Sequence, residues 1–282
     1  MNGGTSPGGG GWFDGLDPAD DDGAVAAITD GEADGPREWP ALAVEAGYAE
    51  TESDYYDRLH EATRRATRDA VRERERADDQ QLKHAVRAMD DTERVANELA
   101  ERVAEWAGSR YDDPGTGVPY ARALAQREVT DPTDERLVSL AGRVADLADE
   151  SAALRASIER TAPDVAPNLS ALAGPVLAAR LIALAGSLET LARKPSGTLQ
   201  VLGAEDALFA HLRGHGPSPK HGVIYVHEYV SGTRPGQRGS AARALAGKLS
   251  IAARVDHYSG DLRPDLADEL DARIERIRGR ES

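Results

Sequence analysis

Leu137-Val-Ser-Leu-Ala-Gly-Arg-Val144-Ala-Asp-Leu-Ala-Asp-Glu-Ser151-Ala-Ala-Leu-Arg-Ala-Ser-Ile158 is the stretch that decides the fold class. Leu137, Leu140, Val144, Leu147, Ser151, Leu154 and Ile158 follow one another at alternating steps of three and four residues. That spacing is a heptad seam, one apolar stripe along a helix, with Ser151 as a polar register mark. Asp131-Pro132 opens the helix, Asp as cap and Pro at the first helical position. Upstream, Leu82, Val86, Met89, Ala96, Leu99, Val103 and Trp106 form a second stripe that ends in Tyr111-Asp-Asp-Pro-Gly-Thr-Gly117. A short helix is expected over Pro119 to Arg127. Two long helices with facing stripes read as an antiparallel coiled-coil hairpin, and an ordinary helical bundle is the competing reading.

Outward from the hairpin the chain changes character on both sides. Residues 1–40 are rich in Gly, Asp and Pro, with Trp12, Phe13 and Trp39 as isolated apolar points. This reads as a reduced, low-complexity region, at most locally folded. A helical segment follows over 41–78, capped by Thr51 or Ser53, with Tyr55, Tyr56, Leu59, Ala62 and Ala66 on one face. The hairpin occupies 79–163. From 164 to 282 the charge thins and apolar helices such as Leu169 to Leu191 predict a compact domain. Within it, Val223-Ile-Tyr-Val226 reads as a short strand, Gln237 to Tyr258 as a basic, Ala-rich helix, and Pro264 to Arg280 as an amphipathic one. The expected class is mainly α: hairpin, then compact helical domain, behind a reduced N-terminal region.

Composition excludes several functions. The 282 residues contain no cysteine, which removes disulfides, thiolate metal sites and cysteine nucleophiles. The N-terminus has no basic or apolar leader, and no stretch approaches 18 apolar residues, so the expectation is a cytoplasmic protein without a membrane span. The formal charge is −15, and the only lysines are Lys83, Lys194, Lys220 and Lys248. A salt-rich cytoplasm explains such an acidic, Arg-using surface, and so does a GC-rich genome. Pro167 to Gly260 stands apart: ten basic against five acidic residues give it +5 and leave −20 for the remainder. A local reversal of sign is what a polyanion-binding surface looks like, or a segment that merely lacks acidic decoration.

In the helix Gln237 to Arg254, Arg238, Arg243 and Lys248 lie among Gly239, Ser240, Ala241, Ala242, Ala244, Ala246 and Gly247. Small side chains permit close approach, and cations grip phosphates. Lys220-His221-Gly222 adds a cation and a ring able to stack on a base. A surface helix neutralising the acidic remainder is the plainer alternative. Arg254 and Asp256 read as a possible internal ion pair. No nucleophile elbow, phosphate loop or metal cluster is present, and His211 and His215 have no supporting ligand set.

Ala166-Pro-Asn-Leu-Ser-Ala-Leu-Ala-Gly174, Ala179-Arg-Leu-Ile and Ala185-Gly-Ser-Leu are followed by Pro195-Ser-Gly-Thr-Leu-Gln-Val-Leu-Gly-Ala-Glu-Asp-Ala-Leu-Phe209. Pro219-Lys-His-Gly-Val-Ile-Tyr225 and Gln237-Arg-Gly-Ser-Ala-Ala-Arg-Ala-Leu-Ala-Gly-Lys-Leu-Ser-Ile-Ala-Ala-Arg-Val-Asp256 complete the series. In this order the blocks resemble the Nop domain of archaeal box C/D ribonucleoprotein scaffolds, closely over Ala166 to Gly260 and loosely back to Ala41. The resemblance implies a scaffold that is not an enzyme and needs no cofactor of its own. Its Nop domain recognises a kink-turn RNA already held by a small ribosomal-protein-like partner. Its coiled coil pairs two copies, and its N-terminal domain docks a fibrillarin-type methyltransferase that methylates ribose 2′-hydroxyls.

Carried onto this chain, Lys220, His221, Arg238, Arg243 and Lys248 are the expected RNA contacts. Gln200, Gly203, Ala204 and Glu205 are a guide-facing or structural turn, and Asn168 is structural. Three departures stand out. The family has Lys and Arg where this chain has Asp206 and Ala210, which puts guide-strand contact in doubt. A sheet-containing N-terminal domain is replaced by residues 1–40, which puts methyltransferase docking in doubt. The hairpin connection is short and a basic C-terminal tail is lacking. The rival to the full scaffold is a diverged Nop-domain RNA-binding protein that recruits no enzyme.

Overall fold

Thr51 is extended, and its hydroxyl accepts from the Asp54 amide at 3.1 Å, starting the 25-residue helix that organises the first part of the chain. The computed structural model describes residues 11–31, 35–112 and 114–279. Among them there are α-helices, one short 3₁₀ turn and no strand. The helical class expected from the two stripes is therefore present. Contacts divide the chain into two units, before and after Ala77–Asp78.

The first unit holds α1 (Asp21–Asp30), α2 (Trp39–Glu45) and α3 (Glu52–Arg76). Trp12 and Phe13 are not isolated: they join Tyr48 and Tyr55 in an aromatic core, and Phe13 is only 2% exposed. The Trp12 indole donates to the Tyr55 hydroxyl at 3.2 Å, and Phe13 stacks on Tyr48 with centroids 5.7 Å apart. Two of the apolar points in the region read as low-complexity thus belong to a small folded core, while 1–10 and 32–34 lie outside the described residues.

The second unit begins with α4 (Asp78–Gly108), α5 (Gly117–Leu124) and α6 (Pro132–Val165). The Asp131 carboxylate caps α6, accepting from the Thr133 and Asp134 amides at 2.7 and 2.9 Å. At one end Ala100, Val103 and Ala107 cluster with Leu137, Ala141 and Val144. At the other, Leu82, Val86 and Met89 cluster with Ile158 and Ala162. Rising numbers on α4 meet falling numbers on α6, so the hairpin is antiparallel. Leu137, Val144, Ser151 and Ile158 are buried, whereas Leu140, Leu147 and Leu154 are half-buried at the seam's margin. The Ser151 hydroxyl donates to the Met89 carbonyl at 3.3 Å.

Helix α6 does not stop at Pro163 but runs through it to Val165, and Ala166 both ends α6 and precedes α7 (Pro167–Ala173). Hairpin and compact domain lie within the one unit from Asp78 onward. Helix α8 (Pro175–Ala185) joins them: Leu177, Ala178, Leu181 and Ile182 enter the compact core, while Ala179 and Ala183 pack with the hairpin. Asp79 accepts from the Leu188 amide at 2.9 Å, Gln80 donates to the Gly186 carbonyl at 3.1 Å, and Asp90 pairs with Arg180. Gly186, at φ +98°, ends α8 in the left-handed conformation that side chains disfavour.

Four short helices follow: α9 (Leu188–Arg193), α10 (Ser196–Gln200), α11 (Glu205–Leu212) and, after the 3₁₀ turn Val223–Val226, α12 (Glu228–Ser231). Of these, α9, α10 and α12 pack against α13 (Arg238–Tyr258), and α14 (Asp265–Arg278) closes the core with Leu266, Leu270, Ile274 and Ile277. Ala241, Ala242 and Ala246 of α13 are buried, so much of its small-residue pattern serves packing within the domain rather than approach to a ligand. Asp256 does not pair with Arg254. Its buried carboxylate accepts from the amides of Asn168 and Leu169, both at 2.9 Å, and from the Asn168 side chain at 2.6 Å. It thereby caps α7 from another helix. Asn168 also donates to the Asp261 carbonyl at 2.8 Å and accepts from the Arg263 amide at 2.6 Å. Asp256→Ala would leave these donors unpaired, and we expect a loss of about 2–4 kcal/mol in denaturant unfolding. The exposed control Asp268→Ala should change stability by less than about 0.5 kcal/mol. Equal effects would show that the cap does not hold the domain.

Candidate nucleic-acid interface

Two loops far apart in sequence are stitched together at one end of α13. The Gly222 amide donates to the Gln200 carbonyl at 2.9 Å and the Val223 amide to that of Leu202 at 2.7 Å. The Gln200 side chain donates to the Lys220 carbonyl at 2.7 Å. A Cβ at Gly222 would lie 2.0 Å from the Leu202 oxygen, so only glycine allows this approach. Gly203 adopts φ +82° and its amide donates to the Glu205 carboxylate at 2.8 Å, while the Ala204 amide returns to Val201 at 2.9 Å. These bonds hold the 200–205 turn.

The Val223 amide is committed to Leu202 and the Tyr225 amide turns back to the Gly222 carbonyl at 3.0 Å, so the expected strand over 223–226 is instead a 3₁₀ turn. The turn brings Tyr225, which sequence reading missed, under His221. The rings stack with centroids 4.6 Å apart and planes at 24°. The Arg238 guanidinium lies 5.5 Å from the Tyr225 centroid and donates to the carbonyls of Thr233 at 3.0 Å and Ser231 at 3.3 Å. The Lys220 stem passes 3.8 Å from where a Cβ on Gly239 would stand. Lys220, His221, Tyr225 and Arg238 therefore make one cationic and aromatic patch. Such a patch offers a phosphate contact and a π-face for a base.

The remaining expected contacts lie elsewhere. Five residues on an α-helix turn about 140°, so Arg238, Arg243 and Lys248 cannot share a face. Arg243 is exposed, and no carboxylate lies within 4 Å of it among the described residues. Lys248 is paired with Glu269. Both line a groove between α13 and α14. Arg254 donates to the Ala192 carbonyl at 3.2 Å. Helix α11 buries no residue and exposes Phe209 and Leu212 by 57% and 70%, beside the exposed Asp206.

A family model described as the snoRNA-binding, fibrillarin Nop domain matches residues 79–276. The chain belongs to the Nop family. An uncharacterised NOP5 family protein of Methanocaldococcus jannaschii is 32% identical over 271 residues, covering 83% of this chain and 66% of that protein. Nucleolar protein 58 of Schizosaccharomyces pombe is 33% identical over 64% of this chain and 43% of its own length. Nucleolar protein 56 of Saccharomyces cerevisiae is 40% identical over 50% of this chain and 28% of its own. The chain thus spans less than two thirds of these relatives. A solved fibrillarin/Nop5p complex contains a chain of the same fold, with TM-score 0.53, 24% identity, and coverage of 90% of this chain and 91% of that one.

Inside the Nop domain, His227 joins the 3₁₀ turn to α7. Its Nε2 donates to the Leu172 carbonyl at 3.1 Å, and its Nδ1 accepts from the Tyr229 amide at 3.2 Å, which fixes the neutral tautomer. Burial is the main cause that lowers its pKa below the ordinary 6.5. The folded value lies below the unfolded one, so the neutral ring's contribution is complete above about pH 6.5 and is lost as pH falls through the folded value. Wild-type stability should therefore fall more steeply between about pH 7.5 and 5.5 than that of His227→Gln, measured by urea unfolding. Parallel profiles would contradict a buried neutral His227.

Proposed function

We propose that this Nop protein is a cytoplasmic, non-catalytic scaffold of a box C/D-type ribonucleoprotein. It binds kink-turn guide RNA together with a small ribosomal-protein-like partner, and it positions a fibrillarin-type methyltransferase for ribose 2′-O-methylation. The observation that carries the reading is the patch of Lys220, His221, Tyr225 and Arg238, in a segment of net charge +5 within a chain of −15. Arg243 adds an unpaired guanidinium on the same domain. Self-association through the α4–α6 hairpin fits a shallow groove of about 330 Å³ lined partly by Ala148, Ala152 and Ala156. Small residues there admit a second helix closely.

Where the resemblance implies a sheet-containing docking domain, the described residues before α4 form helices and no strand, which favours a second reading in which the protein binds kink-turn RNA but recruits no methyltransferase. A mobility shift of kink-turn RNA at several salt concentrations, with and without the small kink-turn-binding protein, tests the first step. We expect a supershift that requires both RNA and that protein, and its weakening by Arg243→Ala. No shift at any salt concentration would overturn both readings. Addition of a fibrillarin-type enzyme then separates them, since only the scaffold carries it into the complex.

A further inference from the structure

Helix α14 supplies a second bank of cations. Between α13 and α14 runs an open groove of about 760 Å³. Arg243 stands on one side, and Arg273 and Arg276 of α14 on the other, thirty and more residues later in sequence. Ala244, Gly247 and Ala272 line it between the banks, and a Cβ built on Gly247 would meet nothing within 4 Å. Among the described residues the one carboxylate lining the groove is Glu269, which is already paired with Lys248. Arg276 keeps its Nη groups available, since only its Nε donates to the Ala272 carbonyl, at 3.0 Å.

We infer that this groove is a phosphate track: α14 extends the RNA surface of the domain, with Arg243, Arg273 and Arg276 gripping a stretch of backbone laid along Gly247. The inference rests on the RNA-binding reading above. Three guanidiniums without a competing carboxylate converge from two helices, and the guanidinium fork matches phosphate geometry. An acidic protein segment is the rival occupant. It would need apolar anchors, and the groove offers only the partly exposed Ile251, since Ile277 is 4% exposed. A smooth floor of small residues between cations suits a sugar–phosphate chain better than a peptide.

The test is the salt dependence of RNA affinity for the full chain, wild type against Arg273→Ala/Arg276→Ala, with the exposed Arg143→Ala on the hairpin as control. The probe is kink-turn RNA with the small kink-turn-binding protein present. Each lost phosphate contact lowers the slope of log affinity on log salt by about 0.7–0.9, so the double variant should lose about 1.4–1.8 and bind more weakly at low salt. Circular dichroism establishes that its helices persist. Wild-type binding with an unchanged slope in the double variant overturns the inference and leaves the Nop reading intact. An unchanged slope with impaired assembly of a protein component overturns it in favour of the acidic segment. Absence of wild-type binding overturns both.

Discussion

The burial of α8 on two sides is the constraint on which the second unit depends. In eleven residues it gives Leu177, Leu181 and Ile182 to the compact core and Ala179 and Ala183 to the hairpin. Small residues face the hairpin, so α4 and α6 approach closely, and large ones fill the domain. The bonds from Asp79 and Gln80 to the turn after α8, with the Asp90–Arg180 pair, fix the orientation at the same place. A hairpin held this way cannot swing freely against the patch at Lys220 and Tyr225.

Much of this was legible in the chain because it is periodic. The seam from Leu137 to Ile158 and its counterpart from Leu82 to Val103 specify two helices and their facing sides without reference to anything distant. What failed was non-local. Trp12 and Phe13 look stranded among glycines because their partners, Tyr48 and Tyr55, lie more than thirty residues on. Val223 to Val226 has strand composition, but the Gly222 and Val223 amides go to the 200–202 backbone and the Tyr225 amide turns back to the Gly222 carbonyl. Ala241, Ala242 and Ala246 look like a surface of close approach because alanine suits a buried helix crossing and an open helix face equally well.

The site was partly legible for the same reason. Residue chemistry pointed to Lys220, His221 and Arg238, which the structure brings around one ring. It could not show that the ring is Tyr225, a pairing set by the 3₁₀ turn, nor that Arg243 and Lys248 line a separate groove. Chemistry likewise named Arg254 and Asp256 as partners, whereas each is committed to a different helix. Electrostatics adds a constraint of its own. A chain of −15 that binds a polyanion must concentrate its cations, and phosphate contacts weaken steeply with salt. In the proposed RNA complex, base stacking on the His221–Tyr225 pair and shape fit in the groove would be less sensitive to screening and would gain weight wherever salt is high.

The most direct test of the central claim is photocrosslinking of the assembled protein–RNA complex, with the crosslinked peptides mapped along the chain. The account predicts crosslinks within 220–225 and along the exposed sides of α13 and α14. Crosslinks confined to residues 11–77 or to the α4–α6 hairpin would contradict it.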